Sequence, residues 1–287
     1  MGSPPLLPPR SRPDRLVGFA FPFLSSRVRM PCVTGVALPE TCSSRSCATI
    51  WVGQGRAAYF GPSLRLREHS GSVHCFALGV DEPFTIVCGG NERLVRSALI
   101  PPRTRHRLIA ENGRMVFAYL DPGSPWVART GGRMTGRVGP VILSDHEDDQ
   151  RLAAGLRAAA SPDPLSLLEI GDHADQRDER IRAALALLRT ERGGSLSVAQ
   201  LADAVNLSAS RFQHLFTAHT GTSFRRYRLW ARMLHVARAT RAGKDLTTAA
   251  IEAGFASSAH FSDSFRAMFG LSARRLAVGA VLVPDRP

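Results

Sequence analysis

The pattern that restricts the fold most is a short amphipathic segment, a turn and a longer amphipathic segment, occurring twice near the C-terminus. In the first copy Leu201, Ala202 and Val205 mark a short helix that stops at Asn206. Ser208 then stands as the N-cap of a longer helix whose Phe212, Leu215 and Phe216 face inward. The second copy, LTTAAIEAGF followed by SSAHFSDSFRAMFG, places Ser257, Phe261 and Phe265 at the same spacing, with Phe269 as a further core position. Between them HTGTS (219–223) turns into a connecting helix with Phe224, Tyr227, Trp230, Met233, Leu234 and Ala237 on its buried side, and AGKD (242–245) ends it. Ahead of both, Ile181, Ala184, Leu185 and Leu188 share one helical face and GGS (193–195) breaks that helix. Residues 177–277 therefore read as all helix, with little strand character anywhere beyond Asp172.

The charge is placed to match. The 287 residues carry 37 Lys+Arg against 24 Asp+Glu, a net +13, and Lys244 is the single lysine. Residues 31–176 hold 15 basic and 15 acidic residues, whereas 177–287 hold 17 basic and 8 acidic ones. A neutral body with a basic helical end suits a chain whose C-terminal part meets a polyanion. A connecting helix of roughly 18 residues spans about 27 Å at 1.5 Å per residue. The helices it holds apart can then enter adjacent major-groove segments, since one DNA turn is about 34 Å.

The stretches LSVAQLADAVNLSASRFQHLFTAHTGTSFRRY and LTTAAIEAGFASSAHFSDSFRAMFG, in this order and at this separation, resemble the DNA-binding module of AraC/XylS-type transcription regulators. The resemblance covers Arg180 to Leu276. It departs at the end, where the family usually has Pro three residues after the last Gly and Tyr-Arg following, and this chain runs GLSARRL with Ala273. It implies a cytoplasmic, bacterial, sequence-specific regulator of double-stranded DNA that works with RNA polymerase and is not an enzyme. On the first recognition helix it places Ser210, Gln213 and His214 toward bases, with Arg211 also outward. On the second, Ala259, His260 and Asp263 are outward, and relatives often carry Arg where this chain has Asp263. Gln suits adenine, His can donate to a guanine edge, and a carboxylate is repelled by phosphate unless it meets a cytosine amino group. Ser208, Thr222, Ser223, Arg225, Arg226, Ser257 and Arg266 lie near helix ends and suit phosphate contacts.

The N-terminal half reads differently. MGSPPLLPPRSRPDR carries five prolines, so residues 1–29 are expected to form a disordered tail, with Met30 as an alternative start. From about 30 to 143 short apolar segments such as AAYFG, SVHCFALGV, FTIVCGG and MVFAYLDP alternate with Gly and Pro, which predicts an antiparallel sandwich or barrel. Residues 144–176 turn helical, broken by SPDP at 161–164, and Leu152 and Leu156 there are expected to mediate a homodimer contact. The expected fold is thus α+β: an antiparallel β-barrel or sandwich, then two helix-turn-helix units on a long helix from 177 to 287. No stretch of about 18 apolar residues lacks charge, so a membrane-spanning helix is not expected.

REHSGSVHCFALGVDEPFTI and ALIPPRTRHRLIAENGRMVFAYLDP also resemble the cupin-type sensor domain found ahead of this module in many relatives. Metal-binding cupins use an H-x-H pair, a following Glu and a later His. Here His69 and His74 are five apart and fall on opposite faces of a strand, while Glu82 lies in a turn, so no metal or other cofactor is expected. The barrel is expected to bind an organic effector instead, with His74, Cys75, Phe76, His106 and Tyr119 as candidate lining. Cys32, Cys42, Cys47, Cys75 and Cys88 lack close paired spacing and read as reduced thiols. Two enzymatic alternatives remain: a cupin-type metal-dependent oxygenase and a DNA-repair methyl acceptor fused to this module.

Overall fold

The computed structural model describes residues 1–2, 48–122, 124–159, 162–168, 177–190, 196–277 and 280–284. Residues 3–29 of the tail expected at 1–29, the alternative start at Met30 and the cysteines at 32, 42 and 47 lie outside the described residues.

The Gly- and Pro-bounded apolar segments form strands in two sheets. The strands are β1 (Ala48–Val52), β2 (Arg56–Pro62), β3 (His74–Gly79), β4 (Phe84–Cys88), β5 (Asn91–Val95), β6 (Ser97–Ile100), β7 (Arg107–Ile109), β8 (Arg114–Leu120), β9 (Met134–Val138), β10 (Ile142–His146) and β11 (Ala280–Pro284). The larger sheet has the order β11-β1-β2-β8-β3-β6-β10-β9, and β5-β4-β7 form the smaller one. Pairing is antiparallel throughout except where β11 joins β1 in parallel, Ala48 opposite Ala280.

The period-two alternation of β3 sends its side chains into two cores. Phe76 and Leu78 join a cluster with Trp126, Leu152, Leu156, Leu165 and Leu168. This cluster packs α1 (Pro125–Gly132), α2 (Asp149–Ala158) and the short α3 (Pro164–Leu167) on one sheet face. Trp126 sits edge-on to Phe76 at 5.4 Å and donates its indole N–H to the Leu168 carbonyl. Cys75 and Ala77 face the other way, into a core that runs through the smaller sheet and on into the helices of the C-terminal half.

Those helices are α4 (Glu179–Arg189), α5 (Val198–Ala204), α6 (Ala209–Thr220), α7 (Phe224–Arg241), α8 (Leu246–Glu252), α9 (Ser258–Phe269) and α10 (Ala273–Ala277). Among the described residues no helix is long and apolar enough to cross a membrane.

Three sequence expectations give way here. Strand character does return beyond Asp172, in β11, because the continuous apolar run AVLVP finds the open edge of β1. The helical stretch expected from 144 begins inside β10 and turns helical only at Asp149. Leu152 and Leu156 are buried against the chain's own sheet, so they offer a partner protomer no surface.

Candidate nucleic-acid interface and the adjoining cavity

Each helix-turn-helix unit is built by the same local devices. Ser197 and Asp245 cap the first helices, and Ser197 forms a reciprocal capping box with Gln200. Both turns use a left-handed residue, Asn206 (φ 54°) and Gly254 (φ 86°), after which the N–H of Leu207 and of Phe255 bonds back to Ala202 and Ala250. Ser208 and Ser257 then cap the recognition helices α6 and α9, accepting from the N–H of Arg211 and His260. Both recognition helices end at a left-handed glycine, Gly221 (φ 66°) and Gly270 (φ 75°).

The apolar faces of α6 and α9 lock them in place and leave the opposite faces open. Phe212 and Phe216 are fully buried and pack against Phe224, and Phe216 also against Tyr227, with ring separations of 5.6–5.9 Å. Ser210, Arg211, Gln213 and His214 are exposed, as are Ala259, His260 and Asp263. His260 is oriented by its surroundings: Nδ1 accepts from the Ala256 N–H at 3.3 Å and the ring packs on Phe255. In the neutral ring that leaves the proton on outward Nε2, a donor. Asp263 is held by Arg266 at 3.0 Å, one turn along the same helix.

The phosphate candidates separate into groups. Arg225 is exposed, and Ser208 and Ser257 act as helix caps beside exposed N-terminal turns, whereas Ser223 caps α7 between buried Thr222 and buried Phe224. Arg266 is exposed but engaged with Asp263. Thr222 is fully buried. Arg226 turns away from solvent and donates to the Ser70 and Gly71 carbonyls. Neither Thr222 nor Arg226 is on an open face, because the turn that carries them docks on the β-domain.

Three further contacts join the halves. The loop before β3 lies against the end of α9: Arg67 N–H donates to the Gly270 carbonyl at 2.9 Å and Ser70 N–H to that of Ala267 at 3.2 Å. Within this loop His69 exchanges backbone hydrogen bonds with His106, and their rings, tilted to each other, lie 4.3 Å apart. Burial lowers both pKa values, His106 to about 4, with His69 adding to the effect on His106. Asp121, just past β8, accepts from Tyr227 of α7 and Arg189 of α4. The third contact is β11 on β1.

Between the sheet and α7, α9 and α10 lies an apolar cavity of about 130 Å³. Of the effector candidates, Tyr119 lines it, stacking edge-on against Phe269 at 5.3 Å. Cys75 stands opposite Tyr119 on the neighbouring strand and shares a hydrogen bond with it. Phe76 opens onto a separate, arginine-rimmed pocket beside Trp126 and His146. His106 belongs to the histidine pair, and His74 lines neither pocket. The sequence reading missed Trp230, Thr240, Ala273 and Leu276 as cavity residues. Phe265, read as core, is only half-buried because it faces this space.

Among the described residues no group of three His, Cys, Asp or Glu side chains is placed to hold a metal ion. Cys75 and Cys88 are free and buried; burial pushes the Cys75 thiol up to about 12 and raises that of Cys88 as well. Neither is a thiolate nucleophile at neutral pH.

In sequence, the family profile described as "Helix-turn-helix domain" matches residues 201–277. No curated protein matches the chain. Among solved structures, an apo variant of ToxT from Vibrio cholerae is similar at TM-score 0.51 and 10% identity, covering 79% of this chain and 98% of that one. ToxT from Vibrio cholerae O395, bound to (E)-4-(8-methylnaphthalen-1-yl)but-3-enoic acid, is similar at TM-score 0.50 and 9% identity, covering 78% of this chain and 99% of that one. At such identities the likeness is one of fold. Residues 201–277 form a helix-turn-helix domain, carried behind a β-rich domain in a ToxT-like fold.

Proposed function

We propose that this chain is a sequence-specific DNA-binding transcription regulator whose β-domain responds to a small-molecule effector. The observation that carries the reading is the doubled helix-turn-helix unit, with each recognition helix fixed by buried aromatics and its outward face free of the β-domain. Ser210, Gln213 and His214 on α6, and Ala259, His260 and Asp263 on α9, are the base readers, with Arg211 beside them. Ser208, Arg225 and Ser257 approach phosphates, and the exposed first-turn N–H groups of α6 and α9 favour anions.

The effector acts through the cavity, because its walls come from both halves. A ligand there bears on the same contacts that fix the β-domain to α7 and α9. Operator binding places the protein with the chromosome in the cytoplasm, where it works with RNA polymerase and without catalysis of its own. A homodimer, in this reading, uses a surface other than Leu152 and Leu156.

Mobility shifts with the DNA flanking its own gene, against scrambled DNA of equal composition, test the reading. The flanking DNA is expected to bind more tightly, and both affinities to fall steeply with salt as counterions are released. Equal affinity for the two DNAs would remove sequence specificity.

A further inference from the structure

The cavity has an origin in the repeat itself. Ser208, Phe212, Phe216, Gly221 and Ser223 of the first unit recur 49 positions later as Ser257, Phe261, Phe265, Gly270 and Ser272. The same offset carries Phe224 onto Ala273 and Tyr227 onto Leu276. In the first unit Phe224 and Tyr227 are buried and close the aromatic cluster over Phe216. In the second unit an alanine and a leucine stand in their places, and both line the cavity beside Phe261 and Phe265. A phenyl and a phenol are missing from the second core, and the space remains.

The polar inventory of that space narrows its occupant. Among the described residues, none that lines this space is Lys, Arg, His, Asp or Glu. The two tyrosines that line it stay protonated, since burial raises the pKa of Tyr59 and of Tyr119. Tyr59 Oη is already used, donating to the Pro62 carbonyl at 2.6 Å. Two lining residues on α7 keep unmatched polar atoms: the indole N–H of Trp230 and the hydroxyl of Thr240 are buried with no hydrogen-bond partner among the described residues, in residues only 2% exposed. An unmade buried hydrogen bond costs about 1–3 kcal/mol, so such groups call for a partner. The indole can only donate.

We propose that the cavity binds a neutral molecule the size of a single aromatic ring bearing one oxygen acceptor, such as an aryl ketone. Its ring takes the place of the Phe224 side chain that the second unit lacks, and its oxygen accepts from Trp230 or Thr240. The volume is of the order a single ring needs: an apolar protein cavity of about 150 Å³ takes up benzene, and this one, at about 130 Å³, is not fully enclosed. A carboxylate is excluded, because a charge left without a cation in an apolar cavity loses its hydration uncompensated. This ligand class rests on the effector reading above only for its regulatory meaning, not for binding.

Calorimetry on the full chain with acetophenone, benzoate and ethylbenzene tests it. Acetophenone is expected to bind at least tenfold more tightly than either of the others. It should also move the indole N–H resonance that disappears in Trp230→Phe. Ala273→Phe, or the milder Leu276→Tyr, restores a first-unit residue and should abolish acetophenone binding while melting stays cooperative. Benzoate binding as tightly as acetophenone, equal binding of ethylbenzene, binding that survives both substitutions, or no binding of any probe would each overturn the proposal. DNA affinity with and without acetophenone is read separately. Ligand binding that leaves DNA affinity unchanged upholds the ligand class and removes the cavity from regulation.

Discussion

Tyr227 donates its phenol to the buried carboxylate of Asp121 at 2.8 Å, while Arg189 Nε reaches the same carboxylate from α4 at 2.8 Å. One acid at the end of β8 thus ties the sheet to two helices of the DNA-binding half. Burial raises the Tyr227 pKa and Asp121 raises it further, so the phenol remains a donor. Burial opposes the Arg189 charge, but Asp121 and Tyr227 more than offset it.

Asp121→Ala should therefore cost about 3–5 kcal/mol, since it strands a largely buried guanidinium and a phenol together. Urea unfolding measures this. Asp121→Leu combined with Arg189→Met and Tyr227→Phe should recover most of the loss, because apolar replacement of a whole buried polar cluster is far cheaper than breaking it. If the single substitution costs no more than the triple, the three groups do not act together.

The two helix-ending glycines differ in surroundings and should differ in tolerance. Both have left-handed φ, so alanine costs about 1 kcal/mol at either. A Cβ at Gly221 meets only Pro102 Cγ at 3.7 Å, an ordinary contact. At Gly270 it would stand 2.6 Å from the Arg67 carbonyl oxygen and 2.8 Å from His69 Nδ1. Gly270→Ala is expected to lower the melting temperature well beyond Gly221→Ala, and equal shifts would show that the loop before β3 yields freely.

Asp149 gives stability a pH dependence. It is buried in the first turn of α2, accepts from Ser97 at 3.0 Å, and among the described residues its other oxygen has no partner. Burial raises its pKa from 3.8 to about 6. A raised acid binds its proton more tightly when folded, so its contribution is fully present below pH 3.8 and is lost as pH rises through 6. At about 1.4 kcal/mol per pH unit the loss is on the order of 1–3 kcal/mol. Asp149→Asn should gain stability over the parent at pH 7.5 and gain nothing at pH 3.5, as read from urea midpoints. A gain equal at both pH values would assign the effect elsewhere.

On DNA, Gln213→Ala or His214→Ala should cost about 1–3 kcal/mol on the cognate site and relax preference at one base position. Arg225→Ala should weaken all sequences alike and lower the salt slope by about 1. A Gln213→Ala protein with unchanged base preference would place α6 in another register. Asp263→Arg removes the partner of Arg266 and adds a cation to α9, so broad tightening with a steeper salt slope is expected. Loss of preference at a single position instead would mean that Asp263 reads cytosine. Quantitative mobility shifts across a salt series distinguish these outcomes.

The sequence by itself determined the local devices, since each depends on neighbours a few residues away. Ser208 and Ser257 as caps, the Phe212/Phe216 and Phe261/Phe265 spacing, and the start of α3 at Pro164 behind the Asp163 cap follow from helix periodicity and capping chemistry alone. The outward positions of Gln213, His214, His260 and Asp263 follow from the same periodicity. What only the tertiary structure decided rests on approaches between segments distant in the chain. Arg226 looks like a solvent cation in its helix, but Ser70 and Gly71 supply carbonyls that claim it. Val236 lies off the expected apolar stripe and is buried because α7 is covered on more than one side. The cavity stands between these cases: Phe224 against Ala273 was already written in the repeat, yet a small residue becomes a space only when nothing else fills it. Whether Tyr119, Trp230 and β11 would close that space or leave it open was settled by packing, which no local pattern encodes.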